Sequence, residues 1–116
     1  NIQNNYKNTP LHIASRYEDE KYMNLLLKCG ANPNIQNYNR NTPLHISSQN
    51  GHEELTQMLI DSKANVDAQN AKGQTPLHMA MSYDYWNVVK MLMDAGANTE
   101  LKNEDGSFTA CTLKES

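Results

Sequence analysis

The chain writes one five-letter string three times, with a single change. NTPLH stands at 8–12 and 41–45 and QTPLH at 74–78, each copy 33 residues after the last. Laid over itself at that shift, the match runs further. NIQNNYKNTPLHIAS at 1–15 falls on NIQNYNRNTPLHISS at 34–48 and on DAQNAKGQTPLHMAM at 67–81. LLKCGAN at 26–32 falls on LIDSKAN at 59–65 and LMDAGAN at 92–98. A period of this length means a stacked array, because one such unit cannot bury its own apolar face and must lay it against a neighbour.

The letters within each unit say what the unit is. Thr9, Thr42 and Thr75 are suited to cap a helix, since a hydroxyl can accept from the free N–H groups of the first turn. Pro10, Pro43 and Pro76 follow at the first helical position, where a missing N–H costs nothing. A helix of about two turns is predicted from each proline, then a turn of two or three residues and a second helix. The second helices carry Tyr22, Met23, Leu25 and Leu26; Leu55, Met58 and Leu59; and Trp86, Val89, Met91, Leu92 and Met93. Spacings of three and four put most of these on one stripe, and Tyr22 and Trp86 are expected in the core. Gly30 and Gly96 suit a left-handed helix end. An extended stretch such as ANPNIQN and a polar turn such as NAKG at 70–73 complete the cycle. The fold class is therefore all-α, a solenoid of helix–turn–helix units joined by hairpin-like loops.

Little in the chain suggests chemistry. His12, His45 and His78 recur with the period, but stacked helices lie about 8–10 Å apart while zinc holds its nitrogen ligands at about 2 Å, so these imidazoles cannot share an ion. His52 has no second ligand near it in sequence. Cys29 and Cys111 lie more than two units apart, too far for a disulfide. The acidic runs Glu18–Glu20 and Glu53–Glu54 precede or open helices, where negative charge meets the helix dipole. There is no glycine-rich phosphate loop, HExxH or nucleophile elbow. No catalytic residue, metal or cofactor is expected, and the chain is not read as an enzyme.

This sequence resembles the ankyrin-repeat family on the TPLH signature, the 33-residue period, GHEEL at 51–55 and the GAN endings. The likeness runs almost continuously over 1–103 and enters a fourth unit at NEDG. It implies one ankyrin-repeat domain over 1–116, with units near 1–33, 34–66 and 67–99 and a partial unit at 100–116. The tail GSFTACTLKES is either a degenerate closing helix or a truncated unit. Because the chain opens at Asn1 inside a unit, it is expected to be a piece of a longer protein. The likeness further implies that the recurrent histidine hydrogen-bonds loop backbone and ties one unit to the next. Two departures matter. The glycine between the helices is kept at Gly51 but replaced by Glu18 and Asp84, and Lys63 stands where Gly30 and Gly96 stand. If the backbone there is left-handed, each replacement carries strain.

The family's partner-contacting positions are the loop tip before TPLH and the end of the first helix. Carried over, they are Asn5, Tyr6, Asn8, Arg16 and Tyr17 in the first unit, and Tyr38, Asn39, Asn41, Gln49 and Asn50 in the second. The third supplies Ala71, Lys72, Gln74, Ser82 and Tyr83, and the partial fourth Glu104, Asp105 and Ser107. Four of the six tyrosines and one of the two arginines fall here, and both types are enriched at binding hot spots. The implied function is a non-catalytic module that grips a protein partner through its concave face and loop tips, as a monomer. Two alternatives stand beside it: a targeting or regulatory segment of a multidomain enzyme or channel, and a structural piece that packs on neighbouring repeats.

Ten basic against thirteen acidic residues leave a net charge of −3, which argues against nucleic acid as the partner. The longest aliphatic run, LLL at 25–27, is too short to span a bilayer. No charged-then-apolar leader precedes it. The sixteen asparagines include no glycosylation sequon, and with only two cysteines a reducing compartment is expected, cytoplasmic or nuclear. The asparagines recur at fixed places between apolar runs, which predicts structured loops. Asn34 resembles positions hydroxylated in some family members, although the acidic residue usually preceding it is Asn32 here.

Overall fold

A computed structural model of the chain describes residues 7–99. The expectations for Asn5, Tyr6, Glu104, Asp105, Ser107, Cys111 and the tail lie outside those residues. Six helices follow in order: α1 Pro10–Tyr17, α2 Glu20–Lys28, α3 Pro43–Asn50, α4 Glu53–Asp61, α5 Pro76–Ser82 and α6 Trp86–Asp94. No strand occurs among the described residues. Helices α1, α3 and α5 lie side by side in one layer, α2, α4 and α6 in a second, and each unit's pair is antiparallel across a tight turn. The result is elongated, 40 × 25 × 20 Å.

The threonine and proline positions start the first helices as expected. Thr9 Oγ1 accepts from the N–H of His12 at 3.3 Å, Thr42 from that of His45 at 3.3 Å and Thr75 from that of His78 at 3.2 Å. Each histidine returns the bond, its Nδ1 accepting from the threonine N–H at 3.0 to 3.1 Å. This is a capping box with imidazole in the place of the usual carboxylate or amide.

Each helix closes at its C-terminal end with a bond that reaches back five residues. Asp19, His52 and Tyr85 donate to Ala14, Ser47 and Ala80, and Ala31, Ala64 and Ala97 donate to Leu26, Leu59 and Leu92. Such closure needs a left-handed residue. Nine described residues have positive φ, three per unit: Lys7, Glu18 and Gly30; Arg40, Gly51 and Lys63; Gly73, Asp84 and Gly96. Glu18 at 55°, Lys63 at 73° and Asp84 at 60° are thus left-handed non-glycine residues, as the departures suggested. Lys7 and Arg40, at the loop tips, were not foreseen.

Equivalent letters meet equivalent surroundings. Leu11, Leu44 and Leu77 are buried in one continuous core with Met23, Leu55, Leu59, Val88, Val89 and Leu92. Two expectations are corrected. Tyr22 is 40% exposed and Trp86 41%, not core. Tyr22 shares its place with buried Leu55 and Val88, but α2 has a second-layer neighbour on one side only, α4, among the described residues. Trp86 opens its helix at the position of Glu20 and Glu53, which faces solvent in every unit. Leu25 and Met93 are exposed as well, whereas their counterparts Met58 and Ile60 pack partly buried against the core.

Candidate functional site

The loops explain the asparagine content. Asn37 Oδ1 accepts from the N–H groups of Asn39 and Asn41, at 2.9 and 3.0 Å, and Asn70 Oδ1 does the same for Lys72 and Gln74, both at 2.9 Å. Each amide then donates to the preceding unit, Asn37 Nδ2 to Asn8 Oδ1 at 2.8 Å and Asn70 Nδ2 to Asn41 Oδ1 at 2.9 Å. One residue type therefore shapes the turn and joins it to the next turn. Asn34 and Asp67 form a similar rung on the far side of the loop, accepting from the N–H of Asn65 and of Asn98, each at 2.7 Å. The Asn34 amide is thus part of the inter-unit bonding.

The histidines complete the tie. His12 Nε2 lies 2.7 Å from the carbonyl of Asn41, and His45 Nε2 lies 2.8 Å from that of Gln74. With Nδ1 accepting from the threonine, the ring is the neutral tautomer and Nε2–H donates to the carbonyl. Burial holds both rings below the ordinary imidazole pKa, partly offset by that carbonyl. His45, flanked by His12 and His78, is lowered to about 4. These side chains are held neutral to fasten loops.

Between the first helices and the loop tips runs a trough. Its larger hollow, about 780 Å³, lies between the first and second units, with Ile13, Ile46, Arg16, Tyr17, Asn39 and Asn50 among its walls. A second hollow of about 380 Å³ lies between the second and third, walled in part by Met79, Lys72, Ser82 and Tyr83. Asn39 and Gln49 line both, which makes the trough continuous. Volumes of this order accept a few side chains.

Of the positions expected at a partner surface, Arg16, Tyr17, Asn39, Gln49, Asn50, Lys72 and Tyr83 come together along this trough. Tyr17 is 70% exposed, and Tyr38, on the neighbouring loop tip, is 61% exposed with Lys7 Nζ 5.3 Å from its ring centre. Asn8, Asn41 and Gln74 line the trough but spend side-chain atoms on the ladder, Gln74 Oε1 accepting from Asn70 at 3.2 Å. Ser82 donates its hydroxyl to His78 O at 2.9 Å. The expectation omitted the apolar floor. Ile13, Ile46 and Met79 follow the histidine of each TPLH and recur every 33 residues, which was the available signal.

Among the described residues one acidic cluster appears elsewhere. Glu18, Glu20 and Glu54, all exposed, hold carboxylate oxygens within 4.8 Å of one another, with His52 Nδ1 3.6 Å from Glu18. His52 thus has a close carboxylate that its sequence neighbourhood did not disclose. Exposed Cys29 has a free thiol.

With this geometry in place, a family model described as ankyrin repeats (3 copies) matches residues 11–103. The chain belongs to the ankyrin-repeat family. No curated protein matches it. Ankyrin repeats are in general non-catalytic modules for protein–protein interaction, built as an all-α solenoid. No helix among the described residues is long and apolar enough to cross a membrane.

Proposed function

We propose that this chain is a non-catalytic module that grips a protein partner along its concave trough and loop tips. The observation that supports this reading is the trough's make-up: an apolar floor of Ile13, Ile46 and Met79 beneath exposed tyrosines and an arginine. Buried anchors inside a polar rim are what a binding interface needs. The contacting residues on this reading are Arg16, Tyr17, Tyr38, Asn39, Gln49, Asn50, Lys72 and Tyr83, with the ladder residues Asn8, Asn41 and Gln74, and Ser82, at the margins. The module acts as a monomer, without cofactor. It works in a reducing compartment, cytoplasmic or nuclear, where an exposed thiol such as Cys29 is tolerated.

The test compares the immobilised protein with Tyr17→Ala, Tyr83→Ala and Ile46→Asp variants, identifying by mass spectrometry what each retains from lysate. Proteins held by the parent and lost from the variants, with melting temperatures of the tyrosine variants within about 2 °C of the parent, are the expected result. Undiminished capture by all three variants would show that binding lies elsewhere.

A further inference from the structure

The net charge of −3 conceals a segregation. All nine described acidic residues lie in the turns between helices, on the second helices or in the loop behind them: Glu18, Asp19, Glu20, Glu53, Glu54, Asp61, Asp67, Asp84 and Asp94. None lines either hollow. The tip and trough side carries Lys7, Arg16, Arg40 and Lys72 instead, and among the described residues none of these has a carboxylate partner. Two of them are held by aromatic faces, Lys7 over Tyr38 and Arg16 with its guanidinium carbon 5.9 Å from the ring centre of Tyr17. A cationic trough on an acidic protein concentrates and orients an anionic ligand at one place.

A second observation concerns the amides. Asn37 and Asn70 spend both the oxygen and the nitrogen of their amides on the ladder, whereas among the described residues the side-chain amides of Asn39, Gln49 and Asn50 bond to nothing. Each offers a donor and an acceptor on one planar group, the complement of a peptide unit. Free amides along a continuous trough suit an extended main chain lying in it, and the spaced hollows suit its side chains.

We propose that the trough takes an acidic, extended segment of a protein partner, an apolar side chain seated on Ile13 and Ile46 and carboxylates facing Arg16, Lys72 and the lysine at the Lys7–Tyr38 pair. This rests on the concave-face reading and adds the chemistry of the partner. Selection of a random dodecapeptide display library on the full chain tests it. The expected winners carry Asp or Glu around a leucine or aromatic residue. They bind about tenfold more weakly to an Arg16→Ala/Lys72→Ala variant, weaken likewise when salt is raised, and are unaffected by Lys21→Ala/Lys90→Ala on the second helices. Neutral or basic winners that Ile46→Asp abolishes would overturn the acidic segment and leave the concave face standing. Winners indifferent to both Ile46→Asp and Tyr17→Ala would overturn both readings. A library with no enrichment overturns the acidic segment. So does displacement of the winners by single-stranded DNA, which would make the cations a nucleic-acid site.

Discussion

Replacing Lys63 by glycine should make this protein more stable, although it removes a whole side chain. Lys63 sits at φ 73°, where its counterparts in the flanking units are Gly30 at 87° and Gly96 at 90°. Its side chain is exposed and makes no hydrogen bond or ion pair among the described residues. Its carbonyl, 3.5 Å from Asn34 Nδ2, survives the change. A non-glycine residue in the left-handed region costs about 1–2 kcal/mol, and glycine's extra freedom in the unfolded chain offsets about 0.4–1 of that. The net gain is about 0.5–1 kcal/mol, or about 2–4 °C in melting temperature. Urea melts followed by circular dichroism would read it as a higher midpoint at unchanged slope. The reverse substitutions, Gly30→Ala and Gly96→Ala, test the same strain from the other side. Among the described residues an added Cβ meets nothing within 4 Å at either site, so any loss is backbone alone, about 0.5–1 kcal/mol by the same balance. A lower midpoint for Lys63→Gly, or no loss in the alanine variants, would refute the reasoning. Glu18→Gly should also stabilise, by less, because the carboxylate's approach to His52 is lost.

Three further outcomes follow from the same structure. Ser48 Oγ is fully buried without a hydrogen-bond partner among the described residues, so Ser48→Ala should raise stability by about 1 kcal/mol in the same melts; a loss would mean the hydroxyl is bonded. Asn70 is buried and bonded to Lys72, Gln74 and Asn41, so Asn70→Ala should cost about 2–3 kcal/mol by stranding two backbone N–H groups, and a loss below about 0.5 would contradict the ladder. The histidines predict a pH dependence. With His45 at about 4 folded and about 6.5 unfolded, the unfolded chain binds more protons between those values. Stability is full above the unfolded pKa and falls on acidification, by about 2 kcal/mol from pH 7 to pH 5. His12, also lowered, adds in the same direction. Denaturant midpoints independent of pH over that range would mean the rings are not held neutral.

The architecture could be read from the chain because the repeat supplies three independent copies of each local signal. A threonine before a proline, a glycine after a helix and a leucine between them each recur in register, so capping, helix ends and core positions support one another. The same register held answers that single-helix reasoning missed. Trp86 reads as core from its size, but its counterparts Glu20 and Glu53 mark the position as solvent-facing. Ile13, Ile46 and Met79 read as ordinary helix residues until α1, α3 and α5 lie side by side and their exposed edges become one floor. Other features were not in the letters at all. Asparagines that hold the ladder and asparagines that face the trough have the same composition, and only the fold shows that Asn37 reaches Asn8 while Asn39, among the described residues, reaches nothing with its amide. The charge segregation is hidden in the same way, because net charge discards position.

On the function proposed above, partners are held by the trough between the first helices and the loop tips. Titrating the 15N-labelled protein with a selected peptide, and mapping the shifted amide resonances, addresses it residue by residue. Shifts gathered at residues 13–17, 37–41, 46–50, 70–74 and 79–83 are the predicted result. Shifts gathered instead on α2, α4 and α6, with those segments unmoved, would contradict it.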